Sequence, residues 1–86
     1  MSTENTRRSE VHRTVCTIVA TTLSVPAEQV TESTRLKDLG ADSLDFAEMA
    51  SALSEHGMGV DKADLKEVST VGDVTDLAAK NAEGAT

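Results

Sequence analysis

One serine stands where a hydroxyl could be put to chemical use. Ser43 lies in the string Gly40-Ala41-Asp42-Ser43-Leu44-Asp45, at the predicted start of a helix, where free backbone N–H groups and the helix field favour an attached phosphate. Asp42 and Asp45 oppose a free anion there, so the pattern points to covalent attachment rather than reversible phosphate binding. A serine at this place is also an ordinary helix cap, and on these residues alone that alternative stays open. A catalytic serine would need a base within hydrogen-bond reach. His56 follows thirteen residues later on the same predicted helix, about 20 Å away at ~1.5 Å per residue. His12 belongs to another helix, and nothing near it suggests an orienting carboxylate or an oxyanion site. No catalytic residue is therefore expected, and the chain reads as no enzyme. Cys16, at the edge of a buried stripe, reads as packing. No cluster of Cys or His has zinc spacing, so no metal site is expected.

The elements that must hold this serine follow from periodicity. Val11, Val15, Ile18, Val19 and Leu23 mark one face of a first helix over Arg8 to Leu23. Pro26 predicts its end near Ser24 or Val25, because proline disfavours helical geometry in the residue before it. A long linker runs from Pro26 to Gly40, with Val30, Leu36 and Leu39 as anchors onto the core. A second helix is predicted from Asp42 or Ser43 to near His56, with Phe46, Met49, Ala50 and Leu53 inward and Asp42 capping its first turn. Gly57 ends it in the left-handed conformation common after a helix. A brief third helix is expected within Asp61 to Glu67 around Leu65. A fourth follows, with Thr70 as N-cap, Asp73 completing a variant capping box, and Val71, Val74, Leu77 and Ala78 inward. Eighty-six residues make one core, so the expectation is a single domain over 1–86, ordered from about residue 8 to 80 with frayed ends.

With 38% hydrophobic residues, one phenylalanine and neither tyrosine nor tryptophan, the core must be aliphatic, which suits packed helices. The net charge of −7 is uneven: residues 1–37 hold five basic and four acidic residues, residues 38–86 three basic and eleven acidic. Taking Phe46 as the core direction at 100° per residue, Leu44, Glu48, Ser51 and Glu55 fall within about 40° of the opposite face. Segment 42–56 has no Lys or Arg. An exposed leucine ringed by carboxylates reads as a docking face for a basic protein partner, although a merely solvated acidic face has the same composition. Such a surface repels nucleic acid and anionic lipid. With a single cysteine, no apolar N-terminal stretch and no run of ~20 apolar residues, the chain is expected to work in the cytoplasm, with no nucleic-acid or membrane partner.

The wider string Leu39-Gly40-Ala41-Asp42-Ser43-Leu44-Asp45, with the chain's length, acidity, long first loop and flanking helices, resembles the modification motif of the acyl carrier protein family. The resemblance runs from about Val11 to Ala79. It implies an all-α four-helix bundle in which a phosphopantetheinyl transferase moves 4'-phosphopantetheine from coenzyme A to Ser43. The arm's thiol then carries acyl groups as thioesters between enzymes. It also implies partner contacts at Asp42, Leu44, Asp45 and Glu48, which Ser51 and Glu55 continue along the same face, toward ketosynthase, acyltransferase or other synthase enzymes with basic docking patches. A monomer is expected. The chain departs from the fatty acid synthase pattern at Ala47 and Ser51, where larger apolar residues are usual, and at His56-Gly57-Met58-Gly59, where acids and a phenylalanine are common. Core closure by Phe46 and Met58 is expected instead. Phe46 would then fill part of the space for an acyl chain, favouring polyketide or other short, functionalised cargo. A fatty acid or aminoacyl carrier is the alternative within the class, and a small acidic helical adaptor binding partners noncovalently is the alternative outside it.

Overall fold

Four helices carry the structure: α1 over Thr3–Leu23, α2 over Ser43–Glu55, α3 over Lys62–Glu67 and α4 over Val71–Gly84. The computed structural model describes the backbone of residues 3–84 and the side chains of residues 8–81. Residues 1–2 and 85–86, where fraying was expected, lie outside the described residues. The all-α expectation is met, since the described residues form no strand, only one isolated bridge between Arg35 and Thr70. Two boundaries differ from the sequence reading. Helix α1 starts at Thr3 rather than Arg8, because the polar stretch before Arg8 contains neither proline nor glycine to stop a helix. Helix α4 continues past Asn81 to Gly84, and the Asn81 amide donates to the Gly59 carbonyl, tying that turn to the segment before α3.

The core is aliphatic. Val11, Val15, Ile18 and Val19 of α1 meet Met49 and Leu53 of α2, Leu65 of α3, and Val71, Val74 and Ala78 of α4, all buried. Burying a side chain of this size contributes about 1.5–3 kcal/mol, and this cluster carries the bundle. Val30 and Leu36 anchor the long loop as expected, while Leu39 and Leu77 are only half-buried. Leu65 is the one buried residue of α3 and pins that short helix to the bundle.

The loop is tied down by backbone pairing that the sequence pattern does not announce. Leu36 N–H donates to the Ser69 carbonyl at 3.1 Å, Val71 N–H to Thr34 at 2.9 Å and Gly72 N–H to Glu32 at 2.9 Å. The first free N–H groups of α4 are thus satisfied by the loop. Gly72 eases this approach, because a Cβ there would lie 3.0 Å from the Glu32 carbonyl oxygen, tighter than ordinary contact. Two helix ends use the left-handed region. Gly57 (φ 77°) closes α2, with Gly57 N–H donating to Ser54 and Met58 N–H to Leu53 at 2.8 Å. Ser24 (φ 57°) closes α1, with Val25 N–H donating to Ala20. In both, the residue after the turn folds back over the last turn of the helix.

Candidate functional site

The head of α2 is capped by two carboxylates. Asp42, with extended backbone, accepts from Asp45 N–H at 3.1 Å, and the Asp45 carboxylate accepts from Asp42 N–H at 3.1 Å. This reciprocal box satisfies the Asp45 donor that a capping serine would otherwise serve, and the Asp42 donor as well. Ser43, the first residue of the helix, is exposed and is not needed as a cap. The ordinary-cap reading is thereby replaced by an available hydroxyl. The role of Asp45 is half legible in the sequence: its spacing from Asp42 is that of the Thr70–Asp73 capping box, while its charge fits the acidic face equally well.

Along α2 the faces separate cleanly. Leu44 is 75% exposed, the one large apolar side chain so exposed among the described residues. Glu48, Ser51 and Glu55 are exposed beside it, as is Ala47. Asp42 and Asp45 lie at the same end, Asp42 exposed and Asp45 partly covered by its capping role. Phe46 requires a correction. The fully buried residues Met49 and Leu53 set the core direction about 40° away from Phe46 at 100° per residue. Phe46 is therefore only half-buried, and Ala50 likewise. Met58 closes the core from the turn after α2, packed inside as expected.

Phe46 instead lines a groove of about 520 Å³ beside Ser43. Its walls are Ala41 and Phe46 from the head of α2, Arg35, Leu36 and Lys37 from the loop, and Lys66 to Thr70 from the end of α3 and the connection to α4. Residues three apart on a helix have Cβ atoms about 5–6 Å apart, so the Phe46 wall begins one helical turn from the serine.

A second cluster joins α1, the loop and α4, away from this groove. Arg8 donates from Nε to Asp76 at 2.8 Å and from Nη2 to Glu32 at 2.7 Å. Its guanidinium holds the Glu32 carboxyl below the usual range. Thr75, fully buried, donates to the Val71 carbonyl at 3.0 Å and so accepts from His12 Nδ1 at 3.1 Å. Cys16 lies 3.4 Å from His12 Nε2 and 3.6 Å from the Val30 carbonyl. Burial, and secondarily Glu32, pushes its thiol pKa up, which keeps it protonated and suits packing rather than nucleophilic chemistry. The structure brings neither histidine to Ser43: His12 is engaged with Thr75 and Cys16, and His56 sits at the opposite end of α2. Among the described residues no group of His, Cys, Asp and Glu could hold a metal ion, and no helix is long and apolar enough to cross a membrane.

Comparison with known proteins defines the class. The family model described as "Phosphopantetheine attachment site" matches residues 13–78, which takes in all of the groove and most of the bundle. The chain is 43% identical over 72 residues to an acyl carrier protein of Saccharopolyspora erythraea, covering 81% of this chain and 76% of the relative. It is 44% identical over 75 residues to an acyl carrier protein of Thermotoga maritima, covering 85% and 93%. It is 41% identical over 75 residues to one from Porphyromonas gingivalis, covering 85% and 96%. The chain belongs to the acyl carrier protein family, whose covalently attached group is 4'-phosphopantetheine. When bound, that group supplies a thiol on a long arm. An exposed serine hydroxyl at a helix head, freed from capping by its neighbours, is chemically fit to hold it as a phosphate ester.

Proposed function

We propose that Ser43 carries the phosphopantetheine arm and that the whole chain serves as one carrier domain, moving acyl intermediates between enzymes of a polyketide or related synthase in the cytoplasm. The observation that carries this reading is the exposed Ser43 side chain beside a completed Asp42–Asp45 box. The carrier itself needs no base. A phosphopantetheinyl transferase removes the serine proton, and Ser43 Oγ takes the phosphopantetheinyl group from coenzyme A with release of adenosine 3',5'-bisphosphate. What the chain contributes is a rigid helix behind the hydroxyl and a face to be recognised. Leu44 supplies apolar contact area on that face, and Asp42, Asp45, Glu48, Ser51 and Glu55 surround it with acceptors for a basic patch. Transferase, ketosynthase and acyltransferase partners are expected to read this same surface.

The deciding experiment incubates the protein with coenzyme A and a broad-specificity transferase, then takes intact mass spectra of wild type and Ser43→Ala. Gain of one arm's mass by wild type alone is the expected result. No gain by wild type, or equal gain by the variant, rejects the assignment. The preference for short, functionalised cargo is supported by Phe46, whose ring occupies one wall of the groove beside Ser43. Equal protection of a long fatty acyl thioester in wild type and Phe46→Ala would count against it.

A further inference from the structure

The loop between α1 and α2 has few apolar contacts with the bundle: from Pro26 to Gly40 only Val30 and Leu36 are buried. Its first part is closed on itself instead. Gln29 N–H donates to the Pro26 carbonyl and Val30 N–H to the Ala27 carbonyl. The Thr34 hydroxyl donates to the Gln29 carbonyl and accepts from Thr31 N–H. Residues 26–34 thus form a small unit whose internal bonds do not depend on the helices. Polar ties join this unit to the rest. Arg8 and Cys16, two turns apart on one face of α1, reach the Glu32 carboxylate and the Val30 carbonyl. At the head of α4, Val71 and Gly72 N–H donate to the Thr34 and Glu32 carbonyls. Arg8 joins all these segments, because it also donates to Asp76 of α4. Exposed ion pairs are ordinarily weak, since long side chains must be ordered for a single contact. Here one guanidinium, on a side chain 35% exposed, is ordered once for two carboxylates at 2.7 and 2.8 Å.

We propose that residues 26–34 form a strap that lifts from α1 and α4 as one piece, and that Arg8 is the latch that holds it down. Lifting draws Val30 out of the core edge and frees the Val71 and Gly72 N–H groups. It also opens the crevice of about 410 Å³ that Arg8, His12, Cys16, Ala27, Val30 and Glu32 line between α1 and the loop. Leu36, buried and bonded to the Ser69 carbonyl, stays behind as the anchor beyond the strap, so α2 and Ser43 keep their places. Segments with few buried contacts and exposed hydrogen bonds open at a lower cost than global unfolding. Because the latch is an exposed ion bridge, salt weakens it, and the strap opens more readily as ionic strength rises. The proposal is independent of the carrier reading.

The test follows amide hydrogen exchange of the ¹⁵N-labelled protein at fixed pH in wild type and Arg8→Gln. Val71 and Gly72 report lifting of the strap, while Leu36, Leu53 and Ala78 report the rest of the bundle. In Arg8→Gln, Val71 and Gly72 should exchange roughly two- to thirtyfold faster, the combined range of two exposed ion pairs. The other three amides should keep their wild-type rates. Half-molar sodium chloride should accelerate Val71 and Gly72 in wild type and leave the variant unchanged. Glu32→Gln should act in the same direction, and adding it to Arg8→Gln should change little further, since the bridge to the strap is already gone. Wild-type exchange at Val71 and Gly72 in Arg8→Gln overturns the latch. Equal acceleration of Leu36, Leu53 and Ala78 overturns the strap, because Arg8 would then merely stabilise the bundle as a whole. The substituted side chains lie on the surface, and the protection of Leu53 and Ala78 checks that each variant is folded.

Discussion

Replacing Leu44 by alanine separates recognition from stability. Leu44 is 75% exposed, so truncating it removes almost no buried contact, and the folded state should change by no more than about 0.5 kcal/mol, the usual range for surface substitutions. Alanine is also at least as good a helix former. A partner that covers this face gains what the bundle leaves exposed. Full burial of a leucine is worth about 1.5–3 kcal/mol, and three-quarters of that, less the methyl that alanine retains, leaves about 0.5–1.7 kcal/mol. Transferase kcat/KM should therefore fall roughly 2- to 15-fold. The assay follows arm attachment by mass against time at limiting protein, with urea unfolding of the same preparations. Transferase kinetics within twofold of wild type would refute the docking argument. A stability loss above 1 kcal/mol would instead show that Leu44 packs against the bundle.

Three further outcomes test the architecture. Ser24→Gly should raise stability by about 1 kcal/mol in urea unfolding, because a non-glycine residue at φ 57° carries the left-handed penalty that glycine escapes. Gly72→Ala should lower it by about 1 kcal/mol, since crowding against the Glu32 carbonyl 3.0 Å away outweighs the helix-propensity gain. Asp73, which accepts from Thr70 and Ser69 N–H, has its carboxyl held below the ordinary range chiefly by those bonds. Its contribution is present above the unfolded value near 4 and is lost as pH falls through the lowered native value. The slope of stability against pH below about 4 should accordingly be shallower in Asp73→Asn, as followed by helical circular dichroism.

The parts of the fold written in local spacing were legible in the sequence. The α1 stripe, Met49 and Leu53, the Thr70–Asp73 box and the Gly57 stop all depend on residues a few positions apart, where helix geometry fixes who meets whom. Ser43 was legible for the same reason, as a hydroxyl at a helix head between acids. Phe46 misleads as a guide to the core direction, because the two fully buried residues Met49 and Leu53 lie about 40° around the helix from it. The Arg8 bridge to Glu32 and Asp76, the His12–Thr75 bond and the basic groove were not legible. Each joins segments 24 or more residues apart in sequence or gathers exposed side chains from separate elements, and no periodicity records such meetings.

The clasp between loop and α4 also bears on how the chain is born. The backbone donors of Leu36, Val71 and Gly72 and the acceptors that meet them lie on opposite sides of the Ser43 helix in the sequence. As the polypeptide emerges from a ribosome, the Glu32 and Thr34 carbonyls and the Leu36 N–H lack these partners until residues 69–72 arrive. The clasp thus closes only after residue 72 has been released, and a nascent chain shorter than that has no settled groove to offer a modifying enzyme.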